Sequence, residues 1–405
     1  MLVADQSHPL LKLLSHDIGE RELRESLRVV RQYLGMDVAF LARFRKKDRV
    51  LEQVDGPVDC PIHEGQIIPL TEGYCQKVVN GDLPELIPDT SRIPATQRIP
   101  ATASIPIGSH MSVPIQVNGH IYGTLCCFGF KPNTSLGDRD LQMLRAFAEI
   151  LALRLYEVES DRRVRQTVID EIEAALAQGA PRIVFQPVFQ LADLRLHGFE
   201  CLSRFEVEPQ RSPDKWFDQA AQAGIGVRLE ERVLRKSLAY LETFAAPYVL
   251  NLNASPQLLT SPHLLPLFQE VQDLSRITLE ITEHAIIEDY TALTNALAPL
   301  RQQGIRLAVD DAGAGYSSMK HILQLQPDLI KLDMSLTRGI HQDRNRRALA
   351  KGLVGFAHEI GSQVVAEGVE TAEELSTLRD LQVDYAQGYL LGKPLAEADA
   401  LALTG

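Results

Sequence analysis

The sequence predicts two domains joined by a long helix: an N-terminal α+β domain, then a TIM-type (β/α)8 barrel. Three observations predict this. A chain of 405 residues exceeds one ordinary hydrophobic core. Across the second half, eight short apolar runs alternate with segments of helical pattern, which implies βαβ units. Between the halves the pattern turns helical at Asp138 and stays so to about residue 178, with a break expected near Glu159.

In the first half, residues 20–33 place Leu23, Leu27 and Val30 at helical spacing, and VAFLARF at 38–44 reads as a strand. The run MSVPIQVNGHIYGTLCCFGF (111–130) predicts a hairpin turning at Asn118-Gly119, because both turn positions need positive φ. RIPAT occurs twice, at 92–96 and 98–102, and its prolines predict a loop. In the second half the strand candidates are 182–189, 196–205, 248–254, 276–283, 305–315, 327–333, 362–370 and 383–391. Helical segments at 228–244, 287–303, 345–360 and 371–382 fill most of the gaps. The expected boundaries are 1–155 for the first domain, 156–180 for the connecting helix and 165–405 for the barrel. A doubly wound open sheet is the competing architecture.

Composition narrows the function classes. Net charge is −12, of which residues 1–155 hold about −1 and the remainder −11. Such a balance disfavours DNA and membrane surfaces as partners. An acidic domain still binds phosphate where divalent cations mediate. No run approaches the roughly 20 apolar residues that span a bilayer, and no secretory signal is recognisable. Five cysteines without a CxxC pair argue against a disulfide framework, so a soluble cytoplasmic protein is expected.

Polar residues fall inside or at the C-terminal ends of the barrel strands: Glu200, Asn251, Glu280, Asp310, Asp311, Lys331, Glu367 and Gln387. In a βα barrel those ends face one mouth, where active sites are built. Carboxylates gathered there repel one another unless cations compensate. Hard oxygen ligands suit Mg²⁺ or Mn²⁺, and two adjacent aspartates let one carboxylate bridge two ions. Lys331 is placed to orient water or stabilise charge, although pairing with Asp333 is the bland alternative. An isolated Glu at a strand end, such as Glu283 or Glu370, is as readily a cap or a salt-bridge partner.

The motifs FQPV (185–188), ECLSR (200–204), LNLNA (250–254), LEITE (279–283), VDDAGAGYSS (309–318), IKLD, AEGVET and QGYLLGKPL occur in order. Over roughly 165–402 they resemble the EAL family of c-di-GMP phosphodiesterases. The resemblance implies a barrel whose first strand runs antiparallel to the rest. It implies one metal on Glu200, Asn251, Glu280 and Asp310, and a second on Asp310, Asp311 and Glu367. It further implies catalytic roles for Glu200, Lys331, Glu367 and Gln387, and substrate contacts from Arg204 and Gln186. Glu283, Ala312 and Ala314 would belong to a regulatory loop, where Ala312 and Ala314 depart from the family's phenylalanine and threonine.

Residues 15–155 resemble a GAF domain, which implies a sensory module for an unknown small ligand or signal. Cys75 is a candidate sensing thiol, while Cys126 and Cys127 read as small buried hydrophobes and His110 as structural. The leading expectation is metal-dependent hydrolysis of c-di-GMP to linear pGpG by a homodimer, whose helices over 138–180 pair or pack on the GAF sheet. A catalytically impaired c-di-GMP receptor is the alternative, and a metabolic barrel enzyme is more remote.

Overall fold

The computed structural model describes residues 20–282, 286–313 and 317–405. The chain divides into two compact units, residues 1–163 and 164–405. The division falls within one 40-residue helix, Asp138–Ala177, which continues through Glu159 without the expected break.

The first unit is a six-stranded antiparallel sheet in the order β3-β2-β1-β6-β5-β4. Its strands are β1 (Val38–Phe44), β2 (Asp48–Asp55), β3 (Ile67–Pro69), β4 (Leu86–Ile87), β5 (Ser109–Val117) and β6 (His120–Gly129). Asn118 and Gly119 have φ of 53° and 74°, so the predicted tight turn joins β5 to β6. Alternation along the strands divides the core in two. One face packs Leu41, Val113, Leu125 and Cys127 against Leu27 and Val30 of the helix Glu20–Tyr33 and against Leu144, Phe147 and Leu151. The stripe that includes these last three therefore covers its own sheet. The other face holds Phe40, Leu51, Tyr74, Cys75, Cys126 and Phe128.

The second unit is a closed eight-stranded barrel. Its strands are β7 (Arg182–Gln190), β8 (Leu196–Arg204), β9 (Val249–Asn253), β10 (Ile277–Thr282), β11 (Arg306–Ala312), β12 (Leu329–Leu332), β13 (Gln363–Ala366) and β14 (Tyr385–Ala386). Each lies within or against an apolar run identified from sequence, and β14 is reduced to two residues. Strand β7 pairs antiparallel with both β8 and β14, while β8 to β14 pair parallel. No helix among the described residues is long and apolar enough to cross a membrane.

Inside the barrel, Val188, Ala308, Leu329, Val365 and Tyr385 form an apolar floor. Side chains of a strand alternate between faces, so the next inward positions are two residues away. These are Asp310, Lys331, Glu367 and Gln387, and on the reversed β7 they include Gln186. Outside, the strands bury Leu250, Leu279, Leu307, Ile330 and Val364 under the helices. Phe185, Phe199, Tyr240 and Phe244 pack there, with the Phe244 ring centroid 4.9 Å from Phe185, edge to face, and 4.8 Å from Phe199, tilted.

Phe244 is fully buried. Phe244→Ala is expected to destabilise the barrel by about 3–5 kcal/mol. Urea unfolding followed through Trp216, the sole tryptophan and part of this unit, checks it; a loss under about 1 kcal/mol would contradict the packing described.

Candidate active site

Because β8 to β14 run the same way, their C-terminal ends share one mouth. Carboxylate oxygens of Glu200, Glu280 and Asp310 lie within 4.8 Å of one another, and so do those of Asp310, Asp311 and Glu367. Asp310 belongs to both groups. Neighbours on a flat strand would point to opposite faces. The β11–β12 register shifts between Val309 and Ala312, and Asp311 takes the left-handed conformation, φ 58°. This bulge turns both aspartates to the mouth, a local cost of about 1–3 kcal/mol held by the surrounding structure.

Lys331 stands among them, 1% exposed. Its Nζ donates to Glu280 Oε2 (2.7 Å) and Asp310 Oδ2 (2.9 Å), lies 2.8 Å from Glu367 Oε1 and 3.9 Å from Glu200 Oε1. Asp333 takes no part, since its carboxylate accepts the Ser335 N–H and caps the next helix. Burial works against the lysine's charge, but the surrounding carboxylates prevail and raise its pKa well above the ordinary value. Glu280 is also raised, and Glu367 is lifted to about 8; burial is the main cause, with like charges adding and Lys331 opposing.

One ammonium does not balance five carboxylates. Glu280 Oε1 and Gln387 Oε1 are buried and have no hydrogen-bond partner among the described residues. Unpaired buried oxygens of this kind are costly. An all-oxygen donor set with orphaned acceptors fits hard divalent cations such as Mg²⁺ or Mn²⁺.

Gln387 Nε2 donates to Glu200 Oε2 (2.5 Å). Its position depends on Gly388, where a Cβ would stand 2.2 Å from the backbone of Val369. Asn253 Nδ2 donates to Glu200 Oε1 (3.3 Å). Asn251, the amide expected among the ligands, is buried two residues earlier on the same strand face and sits opposite Glu200 in the β8–β9 register.

Gln186 sits opposite Glu200 in the β7–β8 register, and its amide donates to Gly392 O at 3.4 Å. Arg204, at the end of β8, donates to the Ser203 carbonyl (2.8 Å). Ala312 is buried, while Glu283 and Ala314 lie outside the described residues. Glu370 pairs with Arg338, the structural alternative for that residue.

Residues 169–394 match the family model of the EAL domain, and residues 19–155 match that of the GAF domain. An uncharacterized signaling protein of Caulobacter vibrioides is 32% identical over 255 residues, 61% of this chain and 31% of that protein. Two Pseudomonas aeruginosa proteins are named cyclic di-GMP phosphodiesterases. NbdA is 29% identical over 237 residues, covering 56% of this chain and 30% of its own length. PA2567 is 32% identical over 224 residues, covering 53% and 38%. The chain thus spans about a third of the length of these relatives. The EAL domain protein of Listeria monocytogenes superposes with a TM-score of 0.52 at 24% identity, over 57% of this chain and 94% of that one. The EAL enzyme Bd1971 gives 0.57 at 18% identity, over 91% and 93%. With its family model spanning more than half the sequence and its barrel closed by a reversed first strand, the chain belongs to the EAL domain family and carries a GAF domain ahead of the barrel.

Proposed function

We propose that the barrel hydrolyses c-di-GMP to linear pGpG with two divalent cations, Mg²⁺ or Mn²⁺, and that the GAF domain regulates it. The observation that carries this reading is the pair of carboxylate groups sharing Asp310. The relatives named as cyclic di-GMP phosphodiesterases support the substrate.

Glu200, Asn251, Glu280 and Asp310 would hold one ion, with Asn253 steadying Glu200 through its amide. Asp310, Asp311 and Glu367 would hold the other. Held by these residues, the ions would supply Lewis-acid charge for a phosphodiester and for an attacking water. Lys331 keeps its proton and adds positive charge where the phosphate gains negative charge. Gln387, fixed by Glu200, offers its free Oε1 as an acceptor that orients a water. Arg204 and Gln186 border the same mouth and are assigned to the substrate. The reading extends to a homodimer in the cytoplasm, a compartment that the five free cysteines fit.

Two outcomes are expected. Mg²⁺ or Mn²⁺ at about 100 times its dissociation constant should stabilise the barrel by about 2.7 kcal/mol, read as a rise in the melting temperature followed through Trp216. Asp310→Asn, which removes the shared ligand, should abolish that rise.

Purified protein should form pGpG from c-di-GMP with either cation and none with chelator, and Glu200→Ala should lower kcat at least about 100-fold. Tight c-di-GMP binding without turnover would overturn the catalytic reading and favour a receptor.

A further inference from the structure

The first unit contains a cavity of about 400 Å³, walled by Phe40, Leu51, Tyr74, His110 and Phe128, with Arg49 and Cys75 on its polar side. Arg49 is 5% exposed, and among the described residues no carboxylate pairs with it. Its Nη1 donates to Cys75 Sγ at 2.8 Å, and its Nε has no partner among the described residues. A guanidinium does not lose its proton, and a buried charge needs a counter-charge. The counter-charge within reach is the Cys75 sulfur. A second thiol, Cys126, lies 3.4 Å from it, itself 3.1 Å from both Ser112 Oγ and Thr124 Oγ1.

We propose that Cys75 is a reactive thiolate, that a hydroperoxide entering this cavity oxidises it, and that Cys126 resolves the product as a Cys75–Cys126 disulfide. The inference is independent of catalysis in the barrel. Its electrostatics agree with the geometry. The hydrogen bond from Cys126 lowers the Cys75 pKa most; burial opposes, Arg49 and Thr124 add to the lowering, and the thiol settles at about 5. Cys126 is raised, by burial first and by Cys75 next. One sulfur is thus a nucleophile and the other retains its proton, the asymmetry that a nucleophile–resolver pair uses.

The steps balance. The thiolate attacks the terminal oxygen of ROOH; an S–O bond forms, the O–O bond breaks, and the alkoxide leaves and takes up from solvent the proton that the Cys75 thiol released on ionising. The Cys126 sulfur then attacks Cys75–SOH; the S–S bond forms, the S–O bond breaks, and water departs with the Cys126 proton. Two thiols and one hydroperoxide give one disulfide, one alcohol and one water. The sulfurs need to close from 3.4 Å to about 2.05 Å.

Glycine at position 73 makes the pairing possible: a Cβ there would lie 2.1 Å from the Arg49 guanidinium. Gly73→Ala consequently displaces Arg49 while leaving both thiols in place.

The test uses the full reduced chain, a few equivalents of cumene hydroperoxide, alkylation of remaining thiols and peptide mapping. The expected result is loss of Cys75 and Cys126 together as one linked peptide pair, with Cys60, Cys127 and Cys201 still free. In Cys126→Ser, dimedone should trap a sulfenic acid on Cys75. In Gly73→Ala, oxidation should slow at least about tenfold, as the thiolate loses its cation. Five intact thiols after treatment would overturn the proposal. So would oxidation confined to Cys60, a Cys75 sulfenic acid that persists in the wild-type chain, or an unchanged rate in Gly73→Ala.

Discussion

The second unit is organised around one electrostatic constraint: five carboxylates brought to a single mouth against one buried ammonium. Lys331 cannot neutralise them alone, and burial magnifies the shortfall because little solvent screens it. The arrangement persists because the barrel fixes the ligands from below. The apolar floor of Val188, Ala308, Leu329, Val365 and Tyr385 packs one inward position beneath Gln186, Asp310, Lys331, Glu367 and Gln387. Hydrophobic burial in one layer thus offsets repulsion in the next. Removing the lysine would leave the carboxylates to hold one another apart or to retain protons, which is the direction in which Glu280 and Glu367 already lean.

Much of this was legible in the sequence, for a physical reason. Buried parallel strands need continuous apolar runs, so a lone Glu or Lys inside such a run announces itself. Glu200, Glu280, Asp310 and Lys331 were identifiable in that way. The bulge at Asp310-Asp311 was not, because a left-handed aspartate leaves no compositional mark. The tie between Asn253 and Glu200 was not legible either, because alternation puts Asn253 on the face of Asn251 without naming its partner. Strand β2 escaped notice because Asp48, Arg49, Glu52 and Asp55 break its apolar pattern.

The cysteines show the same limit more sharply. Cys75 belongs to the short helix Tyr74–Val79 and Cys126 to β6, 51 positions apart. Only the folded sheet puts their sulfurs in contact, with Arg49 arriving from a third segment. Alternation along β6 then separates two adjacent residues completely: Cys126 faces the cavity side and Cys127 the opposite core. A buried thiol that reads as a small hydrophobe is inert or reactive according to neighbours that the primary structure does not reveal.

Reversal of β7 has a topological effect of its own. In a regular barrel the chain joins at the floor and must climb a full strand, about 3.3 Å per residue, before reaching the chemistry. Here Arg182, the first residue of β7, is level with Arg204 at the outlet of β8. The polypeptide is therefore delivered to the barrel at the rim where the carboxylates gather. A single inverted strand exchanges a distant attachment for an adjacent one, so the residues just before Arg182 join the barrel at the end where its carboxylates gather.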